Sequence, residues 1–155
     1  MAALAGRRRI FGGRLVRPGE REEFVNPKQF LLIGGIVLLA LGIVGFLGVF
    51  NDTKSAFYLD QGENVAHTVL GIIAIAASFL LTDATLQKWL VAAVGVIALF
   101  FGIYGFIVAG NAPPNTFGIS NLESPADDVL HLVVGVWALA AAFMPRGRMA
   151  TATGM

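Results

Sequence analysis

Glu63-Asn64-Val65-Ala66-His67-Thr68-Val69-Leu70-Gly71 returns later in the chain as Asp127-Asp128-Val129-Leu130-His131-Leu132-Val133-Val134-Gly135. These stretches hold the only two histidines of the protein. Each histidine stands four residues before a glycine, on an apolar segment that opens with an acidic pair or an acid–amide pair. The repetition marks two helices built to one plan, and the surroundings say in what medium they stand. Of 155 residues, 56% are hydrophobic and only 14% charged, and the mean hydropathy is +0.74. This lies outside the range of soluble domains.

Four runs lack Asp, Glu, Lys and Arg: Phe30 to Phe50, Val65 to Leu81, Trp89 to Gly110 and Val129 to Met144. A bilayer core of about 30 Å takes about 20 helical residues, so the second and fourth runs need their polar starts. Asp60 with Glu63, and Ser124 with Asp127 behind Pro125, read as caps with an acid at the third helical position. The helices then begin near Gln61 and Pro125.

The expected fold is an all-α transmembrane four-helix bundle. Its parts are a basic tail over 1–29, one hairpin over 30–81, a second over 88–144 and a short tail over 145–155. Arg7, Arg8, Arg9, Arg14, Arg17, Arg21, Lys28, Lys88, Arg146 and Arg148 fall on one side of the four spans and only Lys54 on the other. The positive-inside rule therefore places both termini in the cytoplasm.

Sliding the first span along the chain superimposes Gly35 on Gly95 and Gly42-Ile43-Val44-Gly45-Phe46 on Gly102-Ile103-Tyr104-Gly105-Phe106. The chain reads as a duplicated hairpin with both copies entering from the same side, a parallel repeat. The second outer loop is four residues longer. Small residues let helices approach closely in lipid, so Gly35, Gly42, Gly45, Gly95, Gly102 and Gly105 are expected to carry helix packing. The spacing His67, Gly71, Ala74, Ser78, matched by His131, Gly135, Ala138, Ala142, predicts a seam with a histidine at its outer end, level with the partner's glycine notch.

Each histidine lies about 10 Å below the outer cap. One reading makes it an interhelical clasp, bonded to a carbonyl or to Glu63 or Asp127 one turn back. The other makes His67 and His131 axial ligands of a haem or a chlorophyll-type pigment, with Gly71 and Gly135 as the flat wall beside the ring. A metal between the histidines and the outer acids is conceivable if the two seams converge. Transport is poorly supported, since a carrier needs intramembrane charges or unwound polar segments. The acids at helix starts are accounted for by the macrodipole, so no catalytic residues are expected. Arg7, Arg8, Arg9 and Arg14 suit contact with anionic lipid or a protein partner. The tail lacks the interleaved aromatics of a nucleic-acid binder.

The pattern of acid or amide, Val, then His and Gly at fixed spacing resembles a family of small four-helix bacterial membrane proteins of unknown function. Asn64-Val65-Ala66-His67 and Asp128-Val129-Leu130-His131-Leu132 carry the resemblance, with the glycine-rich first helix of each pair, over about Phe30 to Met144. It implies a four-helix protein of the bacterial cell membrane and brings no activity with it. The expectation from residues and resemblance together is a non-catalytic accessory subunit of a larger membrane assembly.

Overall fold

The structure, a computed structural model, describes residues 26–53 and 57–144, and the backbone of 10–11 and 14–15. Arg7, Arg8 and Arg9, the side chain of Arg14, Lys54, Arg146 and Arg148 lie outside the described residues. Four helices follow in order: α1 (Pro27–Phe46), α2 (Gln61–Leu80), α3 (Ala84–Val108) and α4 (Ala126–Phe143). Each is long and apolar enough to cross a membrane. In the tail, strand β1 (Ile10–Phe11) pairs antiparallel with β2 (Arg14–Leu15).

The helix ends have local causes. Asn26 caps α1 by accepting from the Gln29 N–H at 2.9 Å, and Pro27 follows where its missing N–H costs nothing. α1 stops at Phe46, four residues short of the apolar run. Gly48 takes φ +79°, so its N–H reaches the Gly45 carbonyl and that of Val49 reaches Val44. This double bond satisfies carbonyls that a helix end otherwise leaves open. Asp60 and Glu63 form a reciprocal capping box on α2 with both bonds at 2.9 Å. α3 begins at Ala84, a turn ahead of the apolar run, because Asp83 accepts from Thr85 and Leu86.

The start of α4 differs from expectation. Ser124 does not cap it, Pro125 stands at the cap without a side-chain bond, and the Ser124–Pro125 peptide is cis. The reason is that Asp127 turns backward, its Oδ2 accepting the Glu123 N–H at 3.0 Å. The carboxylate that a Ser124 cap would have used as its reciprocal partner is thereby engaged upstream.

α1 packs along α2, and α3 along α4. Contacts between the two pairs are sparser and gather at the end that carries the α2–α3 turn, called the inner end. There Phe30, Leu31, Val91, Ala92, Ala138, Ala141 and Ala142 form the apolar core, with Phe30 edge-on to Trp137 at 4.7 Å. Lys88 lies over Trp89 and Phe143 at the same end. This Lys–Trp grouping is the usual furniture of a membrane interface.

Candidate functional site

The glycine notches are filled, and not by the histidines. Asn64 lies against Gly45, with its Cγ 2.6 Å from where a β-carbon on Gly45 would stand, and Thr68 N is 2.7 Å from the same point on Gly42. In the other pair Asp128 Cγ is 2.6 Å from that point on Gly105, and Leu132 Cγ is 2.8 Å from it on Gly102. Asn64 and Asp128 are fully buried. The true seam of α2 is therefore Asn64, Thr68, Gly71, Ile75 and Ser78, of which the sequence reading held Gly71 and Ser78. At 100° per residue His67 stands on the edge of that face, about 60° round from Asn64 and about 20° from Ser78, beside the notch rather than in it.

Gly71 and Gly135 are closed by their own partners. A β-carbon on Gly71 would meet Leu39 N at 2.5 Å and Gly35 O at 2.8 Å, and one on Gly135 would meet Leu99 Cγ at 2.7 Å. These faces are spent on helix contact, so neither offers the flat wall that a macrocycle beside His67 or His131 requires. Gly95 is likewise shut against Leu139 and Ala138.

The histidines instead look back along their own helices. His131 Nδ1 lies 2.7 Å from the Asp127 carbonyl oxygen, which assigns the proton to that nitrogen, and its ring centroid is 6.0 Å from that of Phe101. His67 Nδ1 faces the Glu63 carbonyl in the same i−4 arrangement without hydrogen-bond geometry. The two imidazoles are close enough to interact electrostatically.

One turn further out, the pairs are joined through acids. Glu63 of α2, Glu123 of the second outer loop and Asp127 of α4 each bring a carboxylate oxygen within 4.8 Å of the others. Glu63 is 8% exposed and Asp127 7%. Asp60 completes the junction: its Oδ2 accepts from the Asn121 N–H at 2.8 Å and from the Ser120 hydroxyl at 3.1 Å. Asn121 also donates its side-chain amide to Glu123. Burial, followed by the neighbouring Asp127, pushes the Glu123 carboxyl up to about 7. The histidines do not join this cluster, so the expected meeting of histidines and outer acids is not what the structure brings together; Glu123 stands with Glu63 and Asp127 instead.

The loop that supplies Glu123 is itself built. Asn115 Oδ1 accepts the Leu122 N–H at 2.9 Å, Thr116 pairs with Ser120, and Gly118 turns at φ +71°. Phe117 adopts φ +53°, a conformation that a bulky residue rarely takes. Its ring stacks on Tyr104 at 5.0 Å and meets Phe101 edge-on at 6.3 Å, contacts that offset the backbone cost. Sequence reading assigned turn chemistry here but missed the junction, since Ser120, Asn121 and Glu123 carry no periodic signal. Asn64 and Asp128 were within reach, because each lies seven residues before a seam glycine.

A cavity of about 230 Å³ opens at the inner end, lined by Pro27, Ala84, Thr85, Lys88, Ala141, Ala142 and Met144. It is far from the histidines. No family model matches the chain, and no curated protein and no solved structure is significantly similar to it.

Proposed function

We propose that this chain is a non-catalytic, multi-pass protein of the bacterial cell membrane, a structural or accessory subunit of a larger membrane assembly, with both termini cytoplasmic and its hairpins related as a parallel repeat. The observation that carries the reading is the use made of the intramembrane polar groups. Asn64, Thr68 and Asp128 lie in glycine notches of the adjacent helix, and Ser78 bonds back to the Ile75 carbonyl at 2.7 Å. The side chains of Asn64, Thr68 and Asp128 find no conventional hydrogen-bond partner there, so what supports the reading is that they fill the space between packed helices rather than line a path or a reaction centre. Outside the notches the surface is apolar over its length, including Ile36, Val37, Ile72, Ile73, Val96, Ile97, Val133 and Val136. Such flanks suit lipid and neighbouring membrane helices alike. The arginines of the tail suit anionic lipid or the same partners.

Gentle extraction from native membranes into lipid particles, followed by native mass measurement, tests the reading. The expected mass exceeds one chain by a discrete, stoichiometric partner. A lone monomer under every mild condition would remove the accessory-subunit role. An absorption spectrum of the same sample is expected to lack Soret and pigment bands. A band abolished by His67→Ala or His131→Ala would replace this reading with a cofactor protein.

A further inference from the structure

The outer junction joins two helix pairs that otherwise meet mainly at the inner end, and it does so with four carboxyl groups. Asp60 and Glu63 belong to the first pair; Glu123 and Asp127 belong to the second. The groups facing the cluster are those four acids and, one turn deeper, His67 on α2 and His131 on α4. Among the described residues, the lysines are Lys28, at the first turn of α1, and Lys88, near the start of α3, both at the inner end, and no arginine side chain is described. Three carboxylates at this spacing, two of them more than nine-tenths buried, repel strongly once ionised, because a poorly solvated site screens them little. Each proton they bind removes that repulsion and leaves an O–H that can bridge two of them.

We propose that the outer junction is a proton-operated latch: with protons shared among Glu63, Glu123 and Asp127 the loop 115–123 is clasped onto the start of α2, and their loss parts the two helix pairs at the outer end while the inner apolar core holds. The geometry supplies the moving parts. The bonds from Ser120 and Asn121 to Asp60 set the closed position, and the inner cluster about Phe30 and Trp137 is the pivot. The direction of response follows from Glu123. Its carboxyl in the closed junction is held up to about 7 against an ordinary 4.5. The closed form therefore binds more protons than the open one between those values. Its advantage is full below pH 4.5 and is lost as pH rises through about 7.

The chain has no cysteine, so pairs of spin labels go on cleanly. One pair at Val65→Cys and Val129→Cys reports the outer ends of α2 and α4. A second at Leu80→Cys and Met144→Cys reports the inner ends; all four positions are exposed. Distances are measured in lipid nanodiscs by pulsed electron resonance at pH 5 and pH 8. The expected result is a longer outer distance whose equilibrium constant against the short one grows by a factor of roughly 70 across that range, with the inner distance unchanged. Glu123→Gln combined with Glu63→Gln, which keeps an acceptor for the capping box, is expected to stay closed at both pH values. Glu123→Gln alone is expected to weaken the response, and the inner distance verifies that each variant is folded. An outer distance independent of pH would overturn the latch, as would opening that persists in the double variant. Opening by EDTA at pH 5 would overturn it too, assigning the clasp to a divalent cation.

Discussion

A β-carbon added to Gly45 or Gly105 would fall within the carboxamide of Asn64 or the carboxyl of Asp128, and both of those side chains are fully buried with nowhere to retreat. Gly45→Ala and Gly105→Ala should each lower the free energy of unfolding by about 1–3 kcal/mol, the usual cost of overpacking. Gly34, with no atom within 4 Å of its added β-carbon, is the control, and Gly34→Ala should be neutral. Steric trapping in mild detergent measures all three. Asn64 and Asp128 occupy matching notches, so Asp128→Asn should leave stability within error of the parent, whereas Asp128→Ala should empty the notch and destabilise. The glycines were legible in the sequence because small residues at helical spacing have one common use in lipid. Which side chain enters the notch was not legible, because histidine is the conspicuous residue of the motif and Asn64 and Asp128 read equally well as polar helix starts.

Helix ends show the same mixture at the scale of the element. The capping box of Asp60 and Glu63 was readable from spacing alone, whereas its second task, accepting from Ser120 and Asn121, depends on a loop sixty residues away that no local rule reaches. Asp60→Ala should therefore cost more than a cap alone, about 2–4 kcal/mol when a cap of typical strength and the two loop bonds are taken together. Asp60→Asn should recover most of the cap. Thermal unfolding of the two variants in lipid nanodiscs separates these outcomes. At the inner end Asp83 behaves conventionally. The N–H groups of Leu86 and Thr85 hold its carboxyl below the ordinary 3.8. What it contributes to the start of α3 is present above pH 3.8 and is lost as pH falls through its lower folded value. The start of α4 shows where local rules mislead: Ser124, Pro125 and Asp127 have the composition of a capped helix, but Asp127 bonds backward to Glu123.

At the scale of the whole molecule, cytoplasmic termini can be tested with single cysteines in intact cells. Ile119→Cys, exposed in the outer loop, should react with an impermeant maleimide. Thr82→Cys in the α2–α3 turn should react only after the membrane is opened, and the reverse pattern would invert the topology. The helix lengths carry a mechanical consequence. α1 and α2, at 20 residues each, are about 30 Å long and match a hydrocarbon core of about 30 Å standing upright. α3 has 25 residues and α4 only 18, lengths of about 37 Å and 27 Å. No single tilt suits both arms of that second pair. A thicker bilayer favours α3 upright and strands the ends of α4, while a thinner one tilts α3 and spares its neighbour. The first pair, with equal arms, responds evenly. Membrane thickness therefore loads the two halves unequally, and the load is borne where they are joined.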